Sequence, residues 1–229
     1  MPKVTAIIPA AGSGKRMGGD RSKQYLEIAS KPIIAHTLDV FQKAAFVDNI
    51  ILVSPPGEIP FTAELVKNYG IDKVSAIVEG GAERQDSIRN GLEAIESPVD
   101  IVIVHDGVRP FIRPEILEAS VNTALEYGAA LVAVPVKDTV KKVLQGSVVK
   151  TVPRADLWLA QTPQTFTWEL ISEAYKNAFL EGIIGTDDAS LVEELGREVR
   201  IVMGSYDNIK ITTPEDLLFA EAIIKERMS

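Results

Sequence analysis

Apolar residues fall into two alternating rhythms along this sequence. Val4–Ala10 is almost unbroken apolar, the pattern of a strand covered on both faces. Pro32 then opens a stretch running to about Ala45 in which Ile33, Ile34, Leu38 and Phe41 recur at helical spacing. The same exchange repeats. Strands are predicted at Asn49–Ser54, Val74–Val78, Asp100–Val104 and Ala130–Val136. Helices are predicted between them, near 61–69, from Arg84 to about Ile95, and from Pro114 to a stop at Gly128.

Strand and helix in unbroken alternation specify a doubly wound, mostly parallel α/β sheet. The rhythm changes after Val136. Asp138–Leu144 and Ser147–Val152 alternate apolar with polar residues around Gln145-Gly146, which predicts an antiparallel hairpin projecting from the sheet as an arm over 136–154. Such an arm, carrying Lys137, Lys141, Lys142 and Lys150, has too few apolar residues to stand alone, so packing on a second subunit is expected. Beyond it, Trp168–Phe179 has helical spacing. Thr186-Asp187-Asp188 begins a helix stopped by Gly196, Val199–Met203 reads as a strand, and Pro214 starts a last helix. No repeat, low-complexity tract or linker interrupts 1–229, which is read as a single domain.

Composition narrows the function. The 229 residues carry a net charge of −8, which argues against a general nucleic-acid binder. Residues 1–31 nevertheless hold six of the 24 Lys/Arg (at 3, 15, 16, 21, 23 and 31) and only two of the 32 acids, so positive charge is gathered locally, as for a small polyanion. The absence of cysteine excludes disulfides and thiol catalysis, and two histidines make a multi-histidine metal centre a poor reading. No apolar run reaches membrane-spanning length, and the glycine loop begins too early to leave room for a signal or transit peptide. A cytoplasmic location is expected.

The densest chemical signal is Ala10-Ala11-Gly12-Ser13-Gly14-Lys15-Arg16-Met17-Gly18-Gly19, with Lys23 just beyond. Glycines 12 and 14 let backbone N–H groups approach an anion where a Cβ would collide, and the loop follows a strand, where α/β proteins hold phosphates. The spacing of a Walker loop is absent, and the third glycine of a dinucleotide fingerprint falls on Met17. The second strand ends in Leu52-Val53-Ser54 without an acid for a ribose, so nicotinamide binding is disfavoured. Asp106 closes a buried strand at the same sheet edge, where a carboxylate commonly holds a divalent ion, although capping of the next turn would also explain it. The neighbouring His105 is read as structural. Gly80-Gly81 can let a flat base lie against backbone, whereas Arg109, Arg113, Arg154 and Lys210 taken singly read as surface charges.

Taken together these stretches resemble a family. Ala10-Ala11-Gly12-x-Gly14-x-Arg16-Met17, Lys23-Gln24-Tyr25-Leu26, Glu79-Gly80-Gly81-Ala82-x-Arg84-x-x-Ser87 and His105-Asp106-x-x-Arg109-Pro110 occur in order. Pro135-Val136-x-Asp138-Thr139-x-Lys141, Thr162-Pro163-Gln164, Thr186-Asp187-x-Ala189-Ser190 and Asn208-Ile209-Lys210 complete the set. Nearly end to end, the chain resembles the 2-C-methyl-D-erythritol 4-phosphate cytidylyltransferases of the bacterial and plastid non-mevalonate isoprenoid pathway. The ribitol-5-phosphate cytidylyltransferases share several motifs, but the Ala-Ala-Gly opening and the Thr-Asp-x-Ala-Ser stretch favour the erythritol family. Ser22 stands where the family usually has proline, and Gly107-Val108 where it often has two alanines.

The resemblance implies a Rossmann-like nucleotidyltransferase sheet and transfer of CMP from CTP to methylerythritol phosphate with release of pyrophosphate. It implies that Arg16 and Lys23 stabilise the transition state, joined by Lys210, and that the backbone of Gly12, Ser13, Gly14 and Lys15 cradles phosphates. Ala10, Ala11, Gly81 and Ser87 would read cytosine and ribose, and Asp106 would hold Mg²⁺ (or another divalent ion) or orient the polyol. Thr139, Arg154, Thr186 and Lys210 would receive the phosphorylated alcohol, with Arg109 near its hydroxyls. Thr139 and Arg154 bracket the arm, so a homodimer with shared sites is implied. A catalytically silent nucleotide-binding module is the reading from another class, and the presence of both Arg16 and Lys23 speaks against it.

Overall fold

The computed structural model describes residues 1–12, 22–96 and 98–228. Its centre is a seven-stranded sheet built from β1 (Val4–Pro9), β4 (Asn49–Ser54), β5 (Val74–Glu79), β6 (Ile101–Val104), β7 (Ala129–Pro135), β10 (Trp158–Thr167) and β11 (Arg200–Met203), in the order β11-β7-β10-β6-β1-β4-β5. All neighbours are parallel except β10, which runs antiparallel to both β6 and β7. Two short strands, β2 (Glu27–Ile28) and β3 (Lys31–Pro32), pair separately, as do β8 (Val140–Leu144) and β9 (Ser147–Val152).

Period-two alternation sorts the strand residues between two cores. Ala6 and Ile8 of β1, Ile50 and Leu52 of β4, and Ile101 and Ile103 of β6 face one layer. There they meet α1 (Ile33–Lys43), α2 (Ile59–Asn68) and α4 (Pro114–Tyr127) through Leu38, Phe41, Leu65, Leu117 and Val121. Ile7, Ile51, Val53, Val102 and Val104 face the other layer, against α3 (Arg84–Glu93), α5 (Trp168–Glu181) and α6 (Asp188–Glu194). Burying each such side chain contributes about 1.5–3 kcal/mol, so helices on both faces hold these strands flat between them. A third cluster, with Ile28, Val108, Phe111 and Ile211, packs α7 (Pro214–Met228) against the β2–β3 corner.

Glycines end the helices where expected: Gly70, Gly128 and Gly196 have φ of 63°, 91° and 68°. The arm is present, as a hairpin turned by Gln145 and Gly146 with φ of 48° and 81°. The pattern of residues does not predict β10. Pro163 and the run Gln161-Thr162-x-Gln164-Thr165 break its apolar signal, yet the strand lies between β6 and β7 with those polar side chains buried. The register with β7 shifts between Ala160 and Gln164, and at that irregularity the missing N–H of Pro163 is tolerated.

Candidate active site

Connections from β1 run outward through β4 to β5, then return to place β6 on the other side of β1. The strand order therefore reverses between β1 and β6, and a crevice opens beyond the carboxyl ends of those strands. Backbone bonds extend the ladder into it: Ala10 N–H donates to Val53 O (2.8 Å), Gly80 N–H to Ser54 O (2.8 Å), and Gly107 N–H to Pro9 O (3.1 Å). These bonds aim Ala10–Gly12, Gly80–Gly81 and Asp106 at a common space.

That space is a cavity of about 460 Å³ lined by, among others, Ala10, Ala11, Gly12, Lys23, Gly81, Ser87, Asp106 and Lys210. Its floor is closely packed. A Cβ on Gly80, next to the lining residue Gly81, would lie 2.2 Å from Ala11 Cβ and 2.9 Å from Ser87 Oγ, so only glycine lets these segments pack so closely. Ser87 Oγ accepts from Gly81 N–H and donates to Glu83 O, both at 3.1 Å, which fixes the turn into α3. A second cavity of about 280 Å³ lies beside the first, with Arg109, Gln161, Thr162, Thr186 and Asp187 in its wall. Arg84, Asp106 and Lys210 line both.

The shared wall is an ion cluster. The buried Asp106 carboxylate meets Lys210 Nζ at 2.9 Å and the Nε atoms of Arg84 and Arg109 at 3.5 Å each. Burial alone would raise its carboxyl, but Lys210, Arg84 and Arg109 outweigh that and hold it well below the usual carboxylate range. Arg84 Nη2 also contacts Asp188, at 2.7 Å, so three cations face two carboxylates and the wall stays net positive.

His105 locks the turn that presents Asp106. Its Nε2 lies 2.9 Å from Arg109 O, which can only accept, so that nitrogen carries the proton. Nδ1 is then free to accept from Thr162 Oγ at 3.2 Å, while the same oxygen accepts from Asp106 N–H at 3.1 Å. Burial lowers the imidazole pKa to about 4, in keeping with this neutral tautomer. The segment carrying Lys210 is pinned to the same turn: Arg109 Nη1 donates to Asn208 O (2.8 Å), Asn208 Nδ2 to Thr162 O (2.8 Å), and Ile211 N–H to Val108 O (2.9 Å).

Most of the residues singled out in the sequence converge on these two cavities. Ala10, Ala11, Gly12, Lys23, Gly81, Ser87, Asp106 and Lys210 line the first, and Arg109 and Thr186 the second. Ser13, Gly14, Lys15 and Arg16 lie outside the described residues. Thr139 and Arg154 line neither cavity. Both are exposed at the root of the arm, where Arg154 donates to Lys137 O. Arg84 stood in a recognised motif with no role attached, and only the fold shows that it spans both cavities. Asp188 and Tyr175 carried no chemical signal beyond the Thr186-Asp187 helix start.

For a divalent cation, no group of three His, Cys, Asp or Glu suited to a metal occurs among the described residues. Asp106 is the carboxylate on the shared wall. One carboxylate contact suffices for an ion that arrives with a triphosphate and keeps its own waters, so Asp106 fits as a contact for a nucleotide-borne ion.

The family model described as 2-C-methyl-D-erythritol 4-phosphate cytidylyltransferase (IspD) matches residues 4–226. A relative of that description from Geotalea uraniireducens is 56% identical over 226 residues, 97% of each chain. Another from Geobacter metallireducens is 54% identical over 98% of this chain and 99% of its own. Among solved structures, the 4-diphosphocytidyl-2C-methyl-D-erythritol synthase of Anaerococcus prevotii superposes with a TM-score of 0.86 at 33% identity, covering 98% of this chain and 96% of that one. The 2-C-methyl-D-erythritol 4-phosphate cytidylyltransferase of Thermus thermophilus does so with a TM-score of 0.81 at 34% identity, covering 97% and 99%.

Proposed function

This chain belongs to the 2-C-methyl-D-erythritol 4-phosphate cytidylyltransferase family, a family of nucleotidyltransferases, and from that premise we propose how its two cavities divide the work. CTP occupies the larger cavity, its base against Ala11, Gly81 and Ser87 and its phosphates toward Gly12 and Lys23. Methylerythritol phosphate occupies the smaller one, its polyol near Arg109 and Thr186. The observation that carries this reading is the wall common to both cavities, where, among the described residues, Arg84, Asp106 and Lys210 stand where the two ligands would meet.

The reaction needs no protein nucleophile. A phosphate oxygen of the alcohol phosphate attacks the α-phosphorus in line, and pyrophosphate leaves with its bonding electrons. Two like unit charges at ~4 Å repel by ~4 kcal/mol at an effective dielectric near 20, and the cations are there to offset that. Lys210 and Arg84 face the incoming phosphate, while Lys23 and Arg16 stabilise charge on the transferring group. Asp106, 2.9 Å from its Nζ, keeps Lys210 aimed. Asp106 would be the protein contact for Mg²⁺ or a similar divalent ion, which when bound would supply further neutralisation of phosphate charge.

The arm extends the reading to a homodimer, in which Thr139 and Arg154 serve the neighbouring subunit's smaller cavity. Its exposed Val143, Leu144, Val148 and Val149 support this, since a two-stranded hairpin has little stability without a surface to cover them. No helix among the described residues is long and apolar enough to cross a membrane, and a cytoplasmic location, where CTP is at hand, completes the proposal. The test is pyrophosphate release from CTP, with Mg²⁺, in a panel of alcohol phosphates. Turnover with methylerythritol 4-phosphate at least tenfold above ribitol 5-phosphate is expected; equal or reversed preference would contradict it.

A further inference from the structure

Arg84 reaches the shared wall from the first turn of α3, and what holds it there lies outside either cavity. Its Nη2 donates to Asp188 Oδ2 at 2.7 Å, and the other oxygen of that carboxylate accepts from the Tyr175 hydroxyl at 2.6 Å. Asp188 is fully buried and Tyr175 nearly so, whereas the Arg84 side chain is 31% exposed and open to both cavities. The three residues come from α3, α5 and α6, so a site group is anchored on two helices of the layer behind it.

Helix capping does not account for Asp188. The capping bonds of α6 belong to Asp187, whose Oδ1 accepts from Ser190 N–H at 2.9 Å. A carboxylate stripped of water costs several kcal/mol unless it is paired, and packed apolar residues in place of such a buried pair are often no less stable, so stability alone does not explain it. Gln85, next to Arg84, also ties α3 to the 183–188 segment: its Nε2 donates to Ile183 O (3.0 Å) and its Oε1 accepts from Gly185 N–H (2.9 Å). With one face of the guanidinium fixed by Asp188, its Nε stays 3.5 Å from Asp106 instead of collapsing into a closer pair. The planar fork thereby keeps a fixed aim toward an anion.

We infer that Asp188 and Tyr175 are positioning residues, which together hold Arg84 at the boundary of the two cavities so that it meets both anionic substrates. The inference rests on the cytidylyl-transfer reading. Releasing the anchor lets the guanidinium turn onto Asp106 and lose its fixed aim at the two substrates, and misplacement of this kind costs up to roughly 10²-fold in rate.

The experiment is a double-mutant cycle on the full-length protein, with thermal melting to confirm folding. Asp188→Asn is expected to lower kcat/KM for CTP and for methylerythritol phosphate together, by roughly 10–100-fold. Tyr175→Phe should act in the same direction and more weakly. In an Arg84→Ala background each change should alter kcat/KM by less than about twofold, because the residue it acts through is gone. Multiplicative losses in that background, or wild-type kinetics in folded Asp188→Asn, would overturn the inference. Should Asp188→Asn fail to fold, the Tyr175→Phe cycle decides alone. If the wild type itself gives no pyrophosphate, the functional reading fails separately, and calorimetric titration of CTP through the same cycle still reads the coupling.

Discussion

His105 and Asp106 are adjacent and both buried, yet one is held neutral and the other ionised by their surroundings. The imidazole stays neutral because burial, aided by the nearby Arg109 charge, outweighs its hydrogen bonds to Arg109 and Thr162; the carboxyl stays ionised because Lys210, Arg84 and Arg109 surround it. The folded pKa of His105, about 4, lies below its ordinary value of 6.5. Between those limits the unfolded chain takes up a proton that the folded one refuses. Stability is therefore complete above pH 6.5, falls as the pH drops toward 4, and loses on the order of 3 kcal/mol from this group. His36, also lowered by burial, adds in the same sense, and Asp106 extends the loss to still lower pH. Urea unfolding at steps from pH 7 to 4 should show this slope in the wild type and a shallower one in His105→Gln. Equal slopes would refute the neutral, buried state assigned to His105. In the sequence, Gly12 and Lys23 stood out in the glycine loop and Asp106 at the end of its strand, whereas Lys210 read as a surface charge until the family resemblance gave it a place. Asp188 was not legible, because its partner Arg84 lies 104 positions away and nothing local distinguishes it from an acidic first turn.

Among the elements, the hairpin and β10 make opposite cases. The hairpin was legible because two alternating runs flank Gln145-Gly146, and both glycine-type φ values occur there. Strand β10 was hidden because its polar residues serve the site. Gln164 reaches Asp187 Oδ2 at 2.8 Å and accepts from Ala189 N–H at 2.8 Å, Gln161 donates to Ser205 O at 2.9 Å, and Thr162 supports His105. A strand that builds a cavity wall cannot show a clean apolar pattern. The arm pairs its strands with each other and not with the central sheet, and most of their residues are exposed. Val136 N–H to Leu157 O (2.9 Å) closes its base, so excising 138–152 leaves the cut ends close together. That deletion should yield a folded, monomeric and inactive protein by sedimentation and assay, against a dimeric wild type. Full activity in the shortened chain would rule out shared sites.

Considered as a whole, an acidic molecule of net charge −8 keeps a net-positive wall at one edge of its sheet. Parallel strands made the architecture readable, since alternating strands and helices leave few other ways to cover both faces of β1, β4 and β6. The division into two cavities was not readable, because it arises where β10, the 105–109 turn and the 208–211 segment meet, and no one of these neighbours the others in sequence. The direct measurement is a crystal structure with the cytidine diphosphate alcohol product bound. The account expects cytidine in the cavity of Ala11, Gly81 and Ser87, the polyol in that of Arg109 and Thr186, and the diphosphate crossing between Arg84 and Lys210. A product lying wholly within one cavity, with its diphosphate turned away from those two cations, would contradict it.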